Sequence, residues 1–547
     1  MENRTLHTGT VAVIGNGPVG QTTALLLARW GIRVIVLDAR PHRDPIGSKA
    51  LCQQRDILDI WESVGVGQKV AEEGVSLSVS RTFHRDTELF SLSYTDKGYS
   101  PFPPFVNISQ TRTEDLLDGA ITAQSLIDVR WGHEVINIDQ DANGVRLECA
   151  TADGTRTVEV EYCVMATGSR SSALRRQLGV SFNGRSFEDK FLICDIRADL
   201  PDWAQERRFH FDPEWNPGRQ VLIHPCPDST FRIDWQVPGD FDLDQATANG
   251  DLDRRVRQII GDTDYDIVWC SLYRFHARLV DRMRVGRVLL AGDSAHIVAP
   301  FGGRGLNSGV SDAENAAWKL AFVLRGWSDE SLLDTYELER RAAALENLDV
   351  TSGTMEFLVP QSDQQRDHRT AVLEAAHSDA AARSQVDSGR LSEPFWYIDS
   401  PLTTPSTVHP AEGRPPKGDL PRPAPGVLIP DAPVRVAGSD AGNLRALCRD
   451  GVLVLAGAGV DTDRLRATVL DAVRVPVRLH RIDAIDADGR LARALDARVD
   501  EVWIVRPDGH IAAAVPADDV AVVREAVRTA VAARGSRVVC EVAATTA

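Results

Sequence analysis

Short apolar runs and longer helical stripes alternate from the start of the chain. Residues 10–14 are rich in β-branched side chains and predict a strand; 18–30 predict a helix and 33–37 a second strand. The chain therefore opens as a βαβ unit. Further helices are expected at 57–64 and 114–123. Residues 145–150 and 157–160 flank an Asp153-Gly154 turn and predict a hairpin. A strand at 161–166 then ends at Thr167-Gly168. The stretch from about 73 to 104 has no helical period.

The pattern changes from about 186 to 281. Strand-like runs at 191–196, 207–211, 220–224, 231–237 and 267–273 are interrupted by one helix near 252–260. This is the pattern of an antiparallel sheet inserted into an α/β domain. A strand returns at 287–291, a long helix is expected from 306 to 324, and helical patterns run on to about 385. Eight prolines between Pro401 and Pro425 predict a stiff, extended linker. Beyond it, strands at 452–455 and 501–505 and helices at 462–473 and 518–532 predict another α/β unit. The expected divisions are 1–72 with 105–185 and 282–395, an insertion of 73–104 and 186–281, a linker of 396–425, and a C-terminal unit of 426–547.

A chain of 547 residues accommodates several such units. Its hydrophobic (43%) and charged (25%) fractions suit a globular enzyme. A formal net charge of −17 disfavours nucleic acid and anionic membranes as partners. The opening residues are polar, so no secretory leader is expected, and no apolar run reaches membrane-spanning length. A cytoplasmic placement follows. Cys52, Cys149, Cys163, Cys194, Cys226, Cys270, Cys448 and Cys540 form neither a CxxC pair nor a zinc spacing, and are expected to be reduced thiols. No metal site is predicted.

Chemistry enters at Gly15-Asn-Gly17-Pro18-Val-Gly20, a GxGxxG that leaves a strand and opens a helix. Gly15 permits the tight turn, Gly17 lets the backbone approach a pyrophosphate, and Gly20 lets helix and strand pack. Pro18 suits the first helical turn. Asp38 closes the next strand and can accept bonds from a ribose. The loop alone predicts a dinucleotide without separating NAD from FAD.

A second segment narrows the choice. A strand ends at Gly292-Asp293, and Pro300-Phe-Gly-Gly-Arg304-Gly305-Leu306-Asn307 leads into the long helix. Asp293 is placed to accept from a ribityl hydroxyl. The backbone N–H groups of Gly305, Leu306 and Asn307 are placed to meet the pyrimidine edge of a flavin, where the helix dipole stabilises negative charge. An NAD-only dehydrogenase has no use for this second site.

With these motifs the chain resembles the class A flavoprotein aromatic hydroxylases, the para-hydroxybenzoate hydroxylase-like group. The resemblance is nearest to 3-(3-hydroxyphenyl)propionate hydroxylase-like and polyketide-tailoring monooxygenases. It is carried by the glycine loop, by Phe275-His-Ala-Arg278 before Gly286-Arg-Val-Leu-Leu-Ala-Gly-Asp293-Ser-Ala-His296, by Asn307 through Asn315, and by Arg506-Pro-Asp-Gly509. It implies a Rossmann-type FAD-binding domain, an inserted antiparallel β-sheet substrate domain and a C-terminal thioredoxin-like α/β domain. The C-terminal unit has no CxxC, so packing or oligomerisation, including a homodimer, is its expected role.

The resemblance also implies FAD as cofactor and NAD(P)H and O2 as co-substrates. The implied product is a hydroxylated aromatic compound, formed through a flavin C4a-hydroperoxide. Gln110 and Arg112 match positions near the flavin and its phosphates, although a helix start facing water is an equal reading of Arg112. Pro300 would line the oxygen-reacting face. Gly168 belongs to the segment where relatives carry Asp-Gly; here Thr167 replaces the carboxylate. Arg304 replaces the usual glutamine, either as a cation beside the flavin or as a residue projecting to solvent. His224, Arg232, Asp234, Trp235 and Gln236 are candidate pocket residues, with His224 or Asp234 as the group assisting phenol deprotonation, but one strand can turn only one parity inward. His276 and His296 read as structural or near-flavin residues, not as a catalytic base. Two other functions fit the same features: Baeyer–Villiger or drug-inactivating oxygenation of a polyketide-like substrate, and an FAD-binding protein that sequesters a reactive intermediate.

Overall fold

The computed structural model describes residues 7–44, 50–94, 98–389, 391–416, 419–439 and 442–533. Cys540 lies outside them. Val11, Ala12 and Val13 are wholly buried, as are Val36, Leu37, Val164 and Met165. Strands covered on both faces pair in parallel between helical layers. The resulting sheet has the order Ile127–Trp131, Arg33–Asp38, His7–Ile14, Gly154–Met165, Val288–Leu290, all parallel. The helix Pro18–Arg29 packs on it, and the helix Arg304–Leu324 packs on that helix.

Two strands expected at 157–160 and 161–166 are one strand, Gly154–Met165. Its first half pairs antiparallel with Val145–Thr151 and its second half pairs parallel with His7–Ile14. The edge strand Ile127–Trp131 has no counterpart in the sequence reading. It is half exposed and carries Asp128 and Arg130, which hide its alternation. The helix expected at 114–123 begins earlier, as Gln110–Thr122, because the Ser109 hydroxyl caps it by accepting from the Arg112 N–H.

The inserted sheet has eight strands in the order His296–Ile297, Tyr265–Val280, Phe182–Ala198, Thr230–Val237, Gln220–Cys226, Glu206–Phe211, Val79–His84, Thr87–Ser93. The two long strands pair from Phe182 against Val280 to Ala198 against Tyr265, well beyond the expected 191–196 and 267–273. Their outer halves are largely exposed, so apolar alternation fades there. Gly184 marks a close approach: a Cβ there would stand 2.0 Å from the Ala277 carbonyl oxygen.

The C-terminal unit is a four-stranded sheet in the order Val477–Arg481, Val452–Ala456, Glu501–Val505, Ile511–Pro516. The first pair is parallel and the others antiparallel. Trp318, Phe322 and Leu332 of the first domain share a buried cluster with its strands. The start of the proline segment is packed rather than extended: Tyr397 and Leu402 are buried, and the Thr404 N–H donates to the Ala512 carbonyl at 2.8 Å.

A buried charge cluster fastens the two units. Arg506 is fully buried, and its guanidinium donates to Glu339 (2.9 Å) and Asp508 (2.6 Å), while Lys319 donates to Glu339 at 2.6 Å. Burial alone would raise the Glu339 carboxyl; Arg506 and Lys319 hold it down to about 2. Its stabilising contribution is therefore complete above pH 4.5 and is lost as pH falls towards 2. Truncating one partner of such a cluster costs about 3–5 kcal/mol. Arg506→Ala is expected to lower the urea midpoint by a corresponding amount, and an unchanged midpoint would show that the cluster contributes nothing.

Candidate active site

The glycine loop is built as its spacing predicts. Gly15 has φ +104°, and a Cβ there would lie 2.4 Å from the Ala166 carbonyl oxygen. A Cβ on Gly20 would lie 1.9 Å from the Gly15 carbonyl oxygen. Both glycines are demanded by packing inside the protein. A Cβ on Gly17 would meet no protein atom within 4 Å, so that position faces open space. Gly17 is the N-cap of Pro18–Arg29 without a side-chain cap, which leaves the first N–H groups for an anion. Beside it the buried amide of Asn16 has no hydrogen-bond partner on either its oxygen or its nitrogen.

Asp38 sits under this loop. One carboxylate oxygen accepts from the Asn16 N–H at 2.7 Å and from the Arg40 guanidinium at 2.9 Å; the other accepts from the Arg40 N–H at 2.9 Å. Burial raises its pKa, but Arg40 and the two backbone N–H groups outweigh that and hold it below the usual value. Asp38 thus closes the loop onto the second strand, and a ribose hydroxyl would have to replace Arg40. Arg43, unremarked in the sequence, joins the same corner by donating to the Asn16 carbonyl (3.0 Å) and Glu114 (2.6 Å).

The second segment folds against the first. Gly292–Ser294 forms a single tight turn with Asp293 half-buried, and Arg304–Leu324 starts at Gly303, again without a side-chain cap. Gly168 has φ +70°, and a Cβ on it or on Gly305 would meet nothing within 4 Å. Leu306 is half-buried against the domain core. The Asn307 side chain spans the helix start and the strand Cys52–Gln54, donating to the Cys52 carbonyl (3.0 Å) and accepting from the Gln54 N–H (3.2 Å). Pro300 is exposed at the turn, while the next residue, Phe301, packs into the aromatic cluster of the inserted sheet.

Both departures from the family pattern have a local structure. The Thr167 hydroxyl lies 2.5 Å from that of Ser171 and 3.2 Å from that of Ser294. A neutral hydroxyl cluster thus ties the two turns where a carboxylate would have stood. Arg304 is buried and donates to Asn347 at 2.7 Å, so it does not project to solvent. Gln110 is half-buried and bonds Glu114 at 2.8 Å. Arg112 is turned outward: its half-exposed guanidinium forks onto Glu73 at 2.6 and 2.9 Å, which matches the water-facing reading and not the one near the phosphates.

The register of the inserted sheet sorts the pocket candidates. Ser80 pairs with Arg207, Arg208 with Ile223, His224 with Arg232, and Arg232 with Asp195. One polar row therefore crosses the sheet as Ser80, Arg207, His224, Arg232, Asp195. Phe209, Leu222 and Asp234 stand in the next row on the same face, and Phe191 and Gln236 in the one after. Phe191, Phe209 and Leu222 pack with Ala299 and Phe301, so this face fronts the glycine turn. Trp235 has the other parity and packs with Leu252, Val256 and Ile260 on the reverse face; it is not a pocket residue. Arg232 is neutralised by a two-pronged pair with Asp195 (2.7 and 2.9 Å), and the Gln236 amide is committed to Asp189 at 2.6 Å. Both are held structurally.

His224 and Asp234 remain, with Nε2 and Oδ2 3.8 Å apart. His224 Nδ1 and Asp234 Oδ1 are buried without hydrogen-bond partners. Burial, then Arg207 and Arg232, push the imidazole well below its usual pKa, so it is neutral. Burial pushes the Asp234 carboxyl up to about 7. Tyr273 lies close enough to Asp293 for that carboxylate, with burial, to raise its phenol pKa. His276 bonds Ser186 at 2.7 Å, and His296 is buried against Asp312 at 2.7 Å.

A dinucleotide-binding α/β domain, two helix starts without side-chain caps, and an antiparallel sheet packed against the turn before the second are the parts of a flavoprotein of the Rossmann type. The chain belongs to the family with this FAD-binding domain, whose profile matches residues 8–351. It is similar to a 3-(3-hydroxy-phenyl)propionate/3-hydroxycinnamic acid hydroxylase of Comamonas testosteroni, 31% identical over 67% of this chain and 62% of that one. It is also similar to a flavin-dependent monooxygenase of Mycobacteroides abscessus, 35% identical over 61% of this chain and 72% of that one. The match to the first spans less than two thirds of that relative's length. Among solved structures, the flavin-dependent monooxygenase PieE in complex with FAD and substrate aligns with a TM-score of 0.82 at 22% identity, over 96% of this chain and 98% of that one. Aklavinone-11 hydroxylase with FAD and aklavinone gives 0.76 at 24%, over 97% and 100%. At these identities the likeness carries the fold alone.

The glycines separate folding from cofactor binding. Gly17→Ala is expected to fold with near-normal thermal stability but to lose most of its bound FAD, read from the ratio of flavin to protein absorbance. Gly20→Ala forces a backbone clash and is expected to destabilise the apoprotein itself. Equal FAD retention in Gly17→Ala and the unsubstituted protein would remove Gly17 from the cofactor site.

Proposed function

We propose that this chain is an FAD-dependent monooxygenase that uses NAD(P)H and O2 to hydroxylate a phenolic aromatic substrate. The observation that carries this reading is the partnerless His224–Asp234 pair on the sheet face that fronts the glycine turn at 300–307. FAD, when bound, supplies the hydride acceptor and the centre at which dioxygen is activated. Residues fit to hold it are Gly15, Gly17, Pro18, Gly20 and Asp38 at the diphosphate and ribose end. Gly168, Asp293, Pro300, Gly305, Leu306 and Asn307 serve at the ring end, with Gln110 at the side. The open approach at Gly17, Gly168 and Gly305 and the orphaned Asn16 amide support that fit.

The remaining work falls to the sheet. Its aromatic residues keep water from the ring, which protects the activated oxygen from unproductive side reaction. Asp234, with a pKa near 7, is the group placed to take the phenol proton, and neutral His224 beside it can pass that proton on. A base must be deprotonated to act, so kcat should rise with pH through about 7. Asp234→Asn should flatten that limb and lower kcat by roughly 10²–10⁴-fold. An unaltered pH profile in Asp234→Asn would remove this role.

The decisive assay is NAD(P)H oxidation against a panel of phenols, with products identified by structure. Stimulated oxidation with a ring-hydroxylated product is expected. A ring-expanded product would identify Baeyer–Villiger chemistry instead, and no stimulation by any substrate would leave a protein that sequesters its ligand.

A further inference from the structure

A cluster of metal-ligating side chains stands where the inserted sheet meets the helices of the first domain, and it uses none of the residues assigned to the cofactor or to the phenol proton. His84 ends the strand Val79–His84 and is buried. Glu374 and His377 stand three residues apart at the end of the helix Asp363–Ala375 and are exposed. His84 Nδ1 and His377 Nε2 face each other at 2.9 Å, and a Glu374 oxygen completes a triangle whose ligand atoms all lie within 4.8 Å of one another. Packing brings the three together. His84 pairs with Phe211 on the neighbouring strand, and Phe211 packs with Val372, Leu373 and Ala376 at the helix end. Beyond Ala375 the chain keeps turning, with the Ser378 and Asp379 N–H groups donating to the Ala375 carbonyl at 3.1 and 2.9 Å. Residues three apart on such a path share one side, so Glu374 and His377 both reach His84.

The geometry of the pair is close to that of a chelate. Two imidazole nitrogens 2.9 Å apart share one N–H···N bond, so at least one ring points a lone pair into the gap. The rings are tilted by 51° with centroids 5.1 Å apart, so they meet by their nitrogens and do not stack. Zinc–imidazole bonds of about 2.0–2.1 Å in tetrahedral geometry set ring nitrogens about 3.3 Å apart. An opening of roughly 0.4 Å, which the exposed His377 supplies by a small rotation, converts the hydrogen bond into two metal bonds. One charge opposes this. Arg85 donates to Glu374 Oε1 at 2.9 Å and lies 3.6 Å from Asp212. It engages only one oxygen of Glu374, and Asp212 remains to hold it if Glu374 turns to a cation.

We propose that His84, Glu374 and His377 form a binding site for one divalent metal ion of the zinc class, with solvent in the fourth position, that clips the inserted sheet to the helix Asp363–Ala375. Two imidazoles and one carboxylate are the donors such ions take, whereas Mg2+ and Ca2+ prefer oxygen ligands. The two histidines are 293 residues apart, so no local spacing announces the site. An ion held between two elements binds the folded chain and not the unfolded one, and so stabilises it. The proposal does not depend on the monooxygenase reading.

The test is calorimetric titration of the purified full chain with ZnCl2 in a buffer free of chelators, with thermal unfolding followed in parallel. One equivalent of Zn2+ is expected to bind saturably, to resist excess Mg2+ and Ca2+, and to raise the unfolding midpoint in a way that EDTA reverses. Losing an outer partner of a metal ligand already weakens binding by about 10–100-fold, so loss of a ligand in His377→Ala should cost at least tenfold. Glu374→Gln should weaken binding too. Arg85→Gln, which removes the opposing cation, should bind Zn2+ at least as tightly as the unsubstituted protein, an outcome that misfolding does not imitate. His84→Gln alters a buried position; if its circular dichroism shows misfolding, the exposed His377→Ala and Glu374→Gln decide. Absence of saturable Zn2+ binding would overturn the proposal and leave two imidazoles sharing a proton. Undiminished affinity in His377→Ala or Glu374→Gln would overturn it by placing the ion elsewhere. Weaker binding in Arg85→Gln, displacement by Mg2+ or Ca2+, or binding without a higher midpoint would overturn it as well.

Discussion

The carboxylate of Asp312 is the point on which the cofactor half of the molecule turns. It is fully buried on the helix Arg304–Leu324. One oxygen accepts from the Gly292 N–H at 2.9 Å and bonds His296 Nε2 at 2.7 Å; the other accepts from Arg340 Nε at 2.7 Å. Burial raises its pKa, but His296 and Arg340 reverse the effect and keep it ionised. A single charge thus fixes the turn bearing Asp293 relative to the helix whose start carries Gly305 and Asn307. If either moved, the turn and the helix start would no longer meet. A buried ionic group of this kind adds little net stability, and its value lies in specifying one arrangement.

The same helix couples the site to the C-terminal unit. Its inner face, with Val310, Ala316, Ala317 and Leu320, belongs to the core of the first domain, and its outer face places Trp318 and Phe322 under the C-terminal strands. Arg340 continues the chain of contacts by donating to the Tyr397 hydroxyl at 2.8 Å, and Arg506 holds Glu339, the neighbouring residue, from the far side. The C-terminal unit therefore packs on the scaffold behind the glycine turn at 300–307. It needs no redox cysteine for that task, and Cys448 is a buried free thiol.

What the sequence disclosed follows from how locally each feature is encoded. Gly15, Gly17 and Gly20 were legible because three backbone requirements fall within six residues. The parallel strands were legible because burial on both faces leaves continuous apolar runs. Arg112 was ambiguous because nothing near it in sequence reveals Glu73, 39 residues earlier. Trp235 was misplaced because alternation gives two parities without saying which one faces inward; the contacts with Leu252 and Val256 decide it. Arg207 carried no signal at all. Its meaning comes from register across the sheet, where strands of distant sequence bring Ser80, His224 and Asp195 into one row.

That row also shows how a strongly acidic chain can leave positive charge buried on one sheet face. The net charge of −17 describes the surface as a whole, whereas a pocket is governed by the few charges left unpaired within it. Here Arg232 and Asp195 cancel, His224 is neutral, and Asp234 is held near 7. Arg207 is the remaining full charge in the row, and in a buried setting one such charge outweighs many screened surface carboxylates. Thr167 fits the same economy on the cofactor side. Its hydroxyl, bonded to those of Ser171 and Ser294, joins the two turns without adding a charge.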